Sequence, residues 1–314
     1  MFKKLVFQGF SVEDLPKSEW DRIADVCKNV CRVATDEMPG ALEGADGLFV
    51  KLGATVDKKL IDLDPNLRVI GMFGTGYGRI DVEYAREKKI PVFNIADYAT
   101  DGVAEFVFAT LLSYLRELPR ALSNADSGDY SEASFTGTEL RDKTLGILGL
   151  GNIGSRVAEI ASNGFAMNVL YWSRERKADR ETERIQYTEV EKLLSDSDYV
   201  SLHLALTPET ESFLSSKRLG LLRSQAVLIN TAPMELLDLA ATEKLIADGT
   251  VSLILDHSDE MRPEDVQRLD RYSNCVVYPP IAYTTIEATS QKQTIFVNNI
   301  IAADKGGTLP NQVN

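Results

Sequence analysis

The sequence predicts an α/β protein with two domains, each built around a parallel sheet, and three observations support this prediction. Short apolar runs alternate with helical patterns along almost the whole chain, which is typical of βαβ units. The chain has 314 residues, more than the roughly 250–300 at which a single hydrophobic core usually stops growing. A second series of strand and helix signals begins at Thr144, directly after a polar, turn-rich stretch.

The first hundred residues contain four strand signals separated by helical patterns. The strands are expected at 5–7, 47–50, 69–72 and 92–95, and the helices at about 18–31, 56–63 and 79–88. A long helix follows at about 101–117, with Thr100 and Asp101 as its expected cap. Residues 123–138 are polar and rich in turn formers, so we expect a loop or an arm outside the core.

The second series contains six strand signals, which predict a complete doubly wound domain. These strands are expected at 144–149, 168–172, 199–202, 226–230, 252–256 and 276–278. The helices between them are expected at about 152–163, 189–194, 215–221 and 238–247. A final helix at about 285–303 returns the chain.

The composition excludes several classes of partner. Lys and Arg number 34 against 47 Asp and Glu, and the resulting charge of −13 argues against nucleic-acid and membrane-surface partners. No stretch approaches the roughly 20 apolar residues of a membrane span, and the N-terminal apolar run is too short for a secretory signal. We therefore expect a cytoplasmic protein.

The cysteines and histidines are too few to predict a metal site, since the chain has three Cys and two His. Cys27 and Cys31 lie one turn apart in the first predicted helix. We interpret them as small packing residues in a reducing compartment.

A glycine-rich turn lies between the first strand and the first helix of the second series. It comprises Gly149, Gly151, Asn152, Ile153 and Gly154, with Leu150 between the first two glycines. The first glycine permits the tight turn, the second lets the backbone approach a pyrophosphate, and the third lets helix and strand pack closely. The helix N-terminus adds N–H donors and a positive dipole end. This turn predicts a Rossmann domain that binds a nicotinamide dinucleotide.

The end of the next strand bears on which dinucleotide is bound. Ser173 stands where an Asp or Glu would accept hydrogen bonds from ribose hydroxyls, and Arg174 follows it directly. With Arg176 and Lys177 next along the chain, this segment suits a 2′-phosphate. The sequence therefore favours NADP, with NAD as the alternative if the segment is a solvated basic patch.

Several motifs together give the chain a resemblance to a known family. They lie at 71–81, 94–105, 140–151, 203–210 and 229–232. On these motifs the chain resembles the D-2-hydroxyacid dehydrogenases, which include glyoxylate/hydroxypyruvate reductases and phosphoglycerate dehydrogenases. The resemblance implies a Rossmann domain at 100–283 and a flavodoxin-like α/β substrate domain formed by 1–99 and 284–314. It also implies a small-molecule substrate or effector and a homodimer through helix 101–117 and the arm after it.

The resemblance also implies further site residues. Additional cofactor contacts would come from Thr100, Thr207, Thr231, Ala232 and Asp256. Backbone N–H groups of segments 52–54 and 74–76 would receive the substrate carboxylate. The candidate substrate residues are therefore Gly53, Gly76 and Tyr77, which directly follows the second segment.

The catalytic segments depart from the family pattern. Pro233 stands at the position of the family's arginine, Met234 at that of the following glycine, and Pro280 at that of the catalytic histidine. The family's glutamate position holds Met261, so Glu260, one residue earlier, is the catalytic candidate. Proline can neither donate a proton nor bind an anion. Loss of a positioned acid/base alone slows a reaction by roughly 10²–10⁴-fold.

Other residues offer substitutes for the missing groups, each beside a structural interpretation. His257 is either a relocated acid/base or a hydrogen-bonded histidine at a strand end, whereas His203 is expected to be structural. Lys51 and Arg79 either bind an anion or are solvated surface charges. Four tyrosines are either proton donors or the lining of an aromatic pocket: Tyr77, Tyr98, Tyr278 and Tyr283.

Two functions follow from these residues. The first is an NAD(P)-dependent oxidoreductase, acting on a C–OH/C=O-type group, with an altered active site and a substrate other than an ordinary 2-keto acid. The second is a catalytically inactive NAD(P)-binding protein that senses or scaffolds.

Overall fold

A computed structural model describes residues 1–34, 37–51, 53–306 and 309–314, apart from the side chain of Glu260. The chain divides into two compact units. Unit 1 consists of Met1–Tyr98 and Ile286–Asn314, and unit 2 of Ala99–Thr285. The domain limits expected from the sequence lie within two residues of these boundaries.

Unit 1 is built on a five-stranded parallel sheet of order β2-β1-β3-β4-β5. Its strands are β1 Phe2–Gln8, β2 Cys27–Val33, β3 Gly47–Val50, β4 Val69–Met72 and β5 Val92–Phe93. The helices between them are α1 Lys17–Val26, α2 Met38–Ala41, α3 Lys58–Ile61 and α4 Val82–Glu87. This strand order is the flavodoxin-like one, which confirms the fold class expected for the substrate domain.

The helix expected to continue to residue 31 ends earlier, at Val26. Residues 27–33 instead form β2, which pairs in parallel with β1, Phe2 opposite Cys27 and Val6 opposite Cys31. The placement of both cysteines on a helix was therefore wrong. A four-residue spacing puts two side chains on one face of a helix and also on one face of a strand, and pairing with β1 decides between the two. Both thiols are free.

The core of unit 1 contains a cluster of phenylalanines around the C-terminal helix Ile286–Asp304. The Phe296 ring, fully buried, lies within 6.4 Å, centroid to centroid, of five other rings. They belong to Phe7, Phe10, Phe49, Phe73 and Phe93. Because Phe296 lies close to all five, the returning helix supplies the centre of this core. Each buried ring contributes roughly 1.5–3 kcal/mol of transfer free energy.

Unit 2 is built on a seven-stranded parallel sheet of order β12-β11-β10-β9-β6-β7-β8. Its strands are β6 Thr144–Leu148, β7 Asn168–Trp172, β8 Ile185–Tyr187, β9 Tyr199–Leu202, β10 Ala226–Asn230, β11 Val251–Leu255 and β12 Cys275–Val277. Its α-helices are α5 Thr100–Leu115, α6 Leu118–Asp126, α7 Asn152–Glu159, α8 Val190–Asp196, α9 Ser216–Leu219, α10 Leu239–Ala247 and α11 Pro263–Leu269. The last helix of the chain, α12 Ile286–Asp304, belongs to unit 1.

This sheet confirms the doubly wound Rossmann domain, although several elements differ from the sequence prediction, among them helix α11, which was not predicted. Strand β8 was not predicted, because three residues are too few for a periodic pattern. Thr100 is the first residue of α5 rather than its cap, since Ala99 holds the N-cap position without a side-chain hydrogen bond. Helix α6 covers the start of the stretch expected to be a loop, and residues 127–143 then contain neither helix nor strand.

The strand order reverses once in each sheet, between β1 and β3 in unit 1 and between β6 and β9 in unit 2. In open α/β sheets, ligands bind beyond the carboxyl ends of the strands at such switch points. The residues that follow these strands are therefore the first place to look for sites. In the described parts of the chain, no helix is long and apolar enough to cross a membrane.

Candidate functional site

The glycine turn of unit 2 has a geometry that excludes side chains at its first position. Gly149 directly follows β6 and has φ +101°, a conformation that L side chains rarely adopt. A Cβ on it would lie 2.6 Å from the carbonyl oxygen of His203, the residue after β9. The turn therefore lies at the switch point between these strands, and two neighbouring strand ends approach there because the side chain is absent.

The other two glycines of the turn differ in what surrounds them. A Cβ on Gly154 would overlap the carbonyl of Gly149, so this glycine lets α7 pack on the turn. A Cβ on Gly151 would have nothing within 4 Å. Gly151 is the N-cap of α7 and provides no side-chain cap. Its open surroundings and the positive end of the helix suit a pyrophosphate, so the turn fits the dinucleotide that the sequence predicts.

A cavity of about 520 Å³ lies beside the turn at the carboxyl ends of β6, β7 and β9. Five predicted cofactor residues line it: Gly149, Gly151, Ser173, Arg174 and Thr207. Lys177, which belongs to the predicted basic segment, also lines the cavity. Three further lining residues, Leu204, Ala205 and Thr210, were not predicted, although they lie in the motif at 203–210.

The cations of the basic segment after β7 differ in whether an acidic side chain of the protein pairs with them. Arg176 forms two hydrogen bonds with Glu181, of 2.6 and 2.7 Å, and is held on the protein. The Lys177 ammonium lies 3.7 Å from the Glu175 carboxylate. Arg174 is exposed and forms no ion pair within the described part of the chain. The hydroxyl of Ser173 is buried and donates to the carbonyl of Glu175 at 2.6 Å. Arg174 is therefore the cation of this segment that is available to a ligand.

Thr100, Asn152 and Ile153 are among the predicted cofactor residues that do not line this cavity. Thr100 and Asn152 line a neighbouring cavity of about 460 Å³, together with Arg156. The Arg156 guanidinium is paired with Asp101 at 2.7 Å. Ile153 packs against the buried core of unit 2.

The loop after β10 carries Pro233, which the resemblance is expected to place at the family's arginine position. Asn230, fully buried, accepts a hydrogen bond from the Ala232 N–H at 3.0 Å and thereby shapes the turn. The buried hydroxyl of Thr231 has no hydrogen-bond partner within the described residues. Pro233 caps a short 3-10 helix, Met234–Leu236, and the side chain of Met234 is buried in the core. These two residues provide neither a charge nor a donor.

The segment after β12 carries Pro280, which the resemblance is expected to place at the family's histidine position, and Asp256 holds this segment in place. The Asp256 carboxylate accepts hydrogen bonds from the N–H groups of Ile281 (3.0 Å) and Ala282 (3.1 Å). Burial raises the pKa of this carboxyl above its ordinary value, against the effect of the two hydrogen bonds. Asp256 therefore fixes the backbone directly after Pro280.

The two histidines of the chain lie at strand ends in unit 2. His257 Nε2 lies 3.3 Å from the carbonyl oxygen of Thr231, and its Nδ1 lies 3.8 Å from the Asp259 carboxylate. It is therefore a hydrogen-bonded strand-end histidine. His203 Nε2 lies 2.9 Å from the hydroxyl of Ser201, and burial lowers the pKa of His203 to about 4. His203 is accordingly neutral near pH 7.

The catalytic candidate Glu260 belongs to a short 3-10 helix, Ser258–Glu260, directly after His257. Its side chain lies outside the described part of the structure. Among the described residues, no group of three or more His, Cys, Asp or Glu side chains is placed to hold a metal ion.

The candidate substrate residues of unit 1 lie on two exposed loops after β3 and β4. Gly53 has φ +90°, and Gly76 and Tyr77 are exposed; Leu52 lies outside the described residues. The Arg79 guanidinium donates to the Gly53 carbonyl at 3.1 Å and so ties the loops together. Lys51 is paired with Asp14 at 2.7 Å. Both cations named as anion-binding alternatives therefore have partners on the protein.

The four candidate tyrosines have different environments. Tyr77 is exposed, whereas Tyr98 is buried. Tyr278 packs edge-on against Phe106, with 5.4 Å between ring centroids. Burial raises the pKa of the Tyr283 hydroxyl above its ordinary value, which makes it a weaker acid.

Known proteins resemble this chain in sequence and in fold. The model of the family described as "D-isomer specific 2-hydroxyacid dehydrogenase, NAD binding domain" matches residues 108–282. The glyoxylate reductase of Thermococcus litoralis is 35% identical over 277 residues, which cover 86% of this chain and 83% of the reductase.

Two solved structures, both with ligands, cover almost the whole chain. An acyclic imino acid reductase in complex with NADPH and D-Arg superimposes with a TM-score of 0.85 at 28% identity, covering 99% of this chain and 100% of that one. The D-lactate dehydrogenase of Aquifex aeolicus, complexed with NAD and lactic acid, gives 0.86 at 27% identity and covers 98% of each chain.

Proposed function

The chain belongs to the D-isomer specific 2-hydroxyacid dehydrogenase family, and we propose that it is a nicotinamide-dependent oxidoreductase that reduces a 2-imino acid rather than an ordinary 2-keto acid. The observation that carries the proposal is the pair of prolines, Pro233 and Pro280, at the family's arginine and histidine positions. The cofactor turn keeps all three of its glycines, so the loss is confined to the proton-transfer and anion-binding groups.

The chemistry of the two substrate classes explains why the prolines favour an imine. When bound, the reduced cofactor supplies a hydride. A keto oxygen becomes an alkoxide as hydride arrives and needs a proton from a positioned acid. A protonated imine already carries its proton and positive charge. Hydride addition to its carbon moves the C=N π pair onto nitrogen and gives a neutral amine, so this reaction needs no histidine.

Support for the imine also comes from a relative of almost full coverage. The imino acid reductase with 28% identity shows that an enzyme of this fold is assigned to C=N reduction. The substrate carboxylate would be received by the backbone of the exposed loops at Gly53 and Gly76, as the family resemblance implies.

We propose NADP as the preferred cofactor. Ser173 has no carboxylate to accept hydrogen bonds from ribose hydroxyls, and its own hydroxyl donates to the Glu175 carbonyl. Arg174 lines the cavity and has no ion pair among the described residues, so it is available to a 2′-phosphate. We further propose a homodimer formed through α5 and the polar arm at residues 123–138, which sedimentation of the purified protein would test.

Oxidation of NADPH with and without an amine tests the proposed reaction. The purified protein is given glyoxylate or pyruvate alone, and then the same keto acid with ammonia or methylamine, which form the imine in solution. We expect oxidation that depends on the amine and that Gly151→Asp abolishes. An equal rate without amine would refute the imine as substrate.

The alternative is a catalytically inactive nucleotide-binding protein. The same combination of an intact glycine turn and two prolines supports it. If NADPH binds but no keto acid, aldehyde or imine is reduced, the alternative is preferred. Steady turnover that a cofactor-site variant abolishes would exclude it.

A further inference from the structure

A lysine on the C-terminal helix lies over aromatic rings at the ligand-facing edge of unit 1. Lys292 is partly buried on α12, and its Nζ lies 4.2 Å from the ring centroid of Phe73 and 5.6 Å from that of Tyr98. Phe73 directly follows β4. The ammonium group therefore lies at the carboxyl edge of the sheet, where open α/β sheets bind ligands.

A second lysine shares this aromatic surface. Lys51 directly follows β3, and its Nζ lies 5.6 Å from the ring centroid of Phe10. Phe10 in turn packs against Phe73, with 5.2 Å between centroids. The two ammonium groups thus lie against neighbouring rings of one aromatic cluster.

The two lysines differ in how their charge is compensated. Lys51 is paired with Asp14 at 2.7 Å. Gln293 Nε2 donates a hydrogen bond to the backbone carbonyl of Asp14 at 2.9 Å. Lys292 forms no ion pair within the described ranges of the chain. Burial, and then the charge of Lys51, lower the pKa of Lys292 below its ordinary value. An anion bound here would compensate a cation that the protein otherwise keeps at a free-energy cost.

The loops expected to contact substrate begin beside these lysines. Lys51 lies two residues before Gly53, and Phe73 lies three residues before Gly76. Lys51 and Gly53 also line a cavity of about 620 Å³ that reaches Gln8, at the switch point between β1 and β3.

We propose that Lys292, assisted by Lys51, binds the substrate carboxylate in unit 1 and so replaces the anion-binding arginine that Pro233 removes. The inference rests on the proposed function in one respect, because the carboxylate is taken to be that of the substrate. The site holds an anion mainly through the Lys292 ammonium and adjoining backbone N–H groups, because Asp14 already compensates much of the charge of Lys51. An uncharged amide of the same size would lack the charge that the ammonium groups recognise.

The alternative role for Lys292 is structural: its ammonium and stem would only cover the faces of Phe73 and Tyr98. Cation–π contacts of this kind contribute modestly to stability. A structural lysine would change the melting temperature when replaced but would leave the affinity for a small anion unchanged. The two roles therefore give different results in a binding measurement.

Calorimetric titration of the full chain with oxalate tests the proposal without cofactor or turnover. Oxamide, of similar size and uncharged, is the ligand control. We expect Lys292→Met to raise the Kd for oxalate at least tenfold, as the loss of a charged hydrogen bond does, and Lys292→Arg to stay within about threefold of the wild type. Lys59→Met, at an exposed lysine of the same unit, should leave the Kd unchanged.

The outcomes separate this proposal from the proposed function. Failure of the wild type to bind oxalate, or an equal Kd in wild type and Lys292→Met, overturns the inference and leaves imine reduction standing. A matching loss in Lys59→Met also overturns it. Selective loss in Lys292→Met with no reduction of any imine supports the anion site and refutes the enzymatic function. If Lys292→Met does not fold, Lys292→Gln takes its place in the same titration.

Discussion

A Cβ on Gly149 would lie 2.6 Å from the carbonyl oxygen of His203. Gly149 follows β6 and His203 follows β9, so the ends of two strands that are far apart in sequence come close together here. This contact fixes the switch point of the unit 2 sheet. Gly151, two residues later, has open space where a Cβ would lie. Gly149 therefore meets a steric requirement of the turn itself, whereas Gly151 leaves space for a ligand.

Gly149→Ala should destabilise the protein by about 2–4 kcal/mol, because it adds a steric overlap to a backbone conformation unfavourable for alanine. Urea unfolding measures this change. Gly151→Ala should unfold within about 1 kcal/mol of the wild type and still bind NADPH more weakly, since its methyl group would occupy the space for the pyrophosphate. Equal stability of the two variants would contradict this assignment.

Arg174→Ala should raise the Kd for NADPH about tenfold or more and leave the Kd for NADH nearly unchanged, because a charged hydrogen bond to the 2′-phosphate is lost. Fluorescence titration of both cofactors gives the ratio. Arg176→Ala is the matched control, since Glu181 already pairs with that guanidinium. A wild type that binds NADH as tightly as NADPH would exclude the preference for NADP.

His203→Gln should change how stability depends on pH. The pKa of His203 is lowered to about 4 from an ordinary 6.5. Its contribution to stability is therefore complete above pH 6.5 and is lost as the pH falls toward 4. The wild type should lose up to about 3 kcal/mol relative to the variant across this range, by linkage. Urea unfolding at pH 7, 5.5 and 4.5 measures the difference. A constant difference would mean that the imidazole is not buried in its neutral form.

Gln8→Met should raise the free energy of unfolding by about 1 kcal/mol. The side-chain oxygen of Gln8 is buried and has no hydrogen-bond partner within the described residues, and a buried unsatisfied acceptor is costly. Gln186→Met, at an exposed position of β8, is the control and should be nearly neutral. A loss of stability in Gln8→Met alone would contradict the prediction.

The features that sequence predicts well are those set by a few neighbouring residues. The glycine turn was predicted because each of Gly149, Gly151 and Gly154 meets a local steric requirement. The parallel sheets followed from the alternation of strands and helices. The start of β2 was not predicted, because only the pairing of Cys27 with Phe2 distinguishes a strand from a continued helix.

The charge environment of the candidate sites depends on contacts that sequence does not reveal. The segment from Ser173 to Lys177 carries three cations, and only the fold shows that Glu181 occupies Arg176. Lys292 gave no signal in the sequence, because its aromatic neighbours Phe73 and Tyr98 come from the other end of the chain.

The position of Phe296 at the centre of the unit 1 aromatic cluster bears on synthesis at the ribosome. Unit 2 is one continuous stretch, Ala99–Thr285, whereas unit 1 requires a segment that is translated after it. While unit 2 is synthesised, Phe7, Phe49 and Phe93 on the early strands of unit 1 therefore lack their contact with Phe296. During that interval they are the part of the nascent chain most in need of a chaperone, and the second unit is the first able to fold.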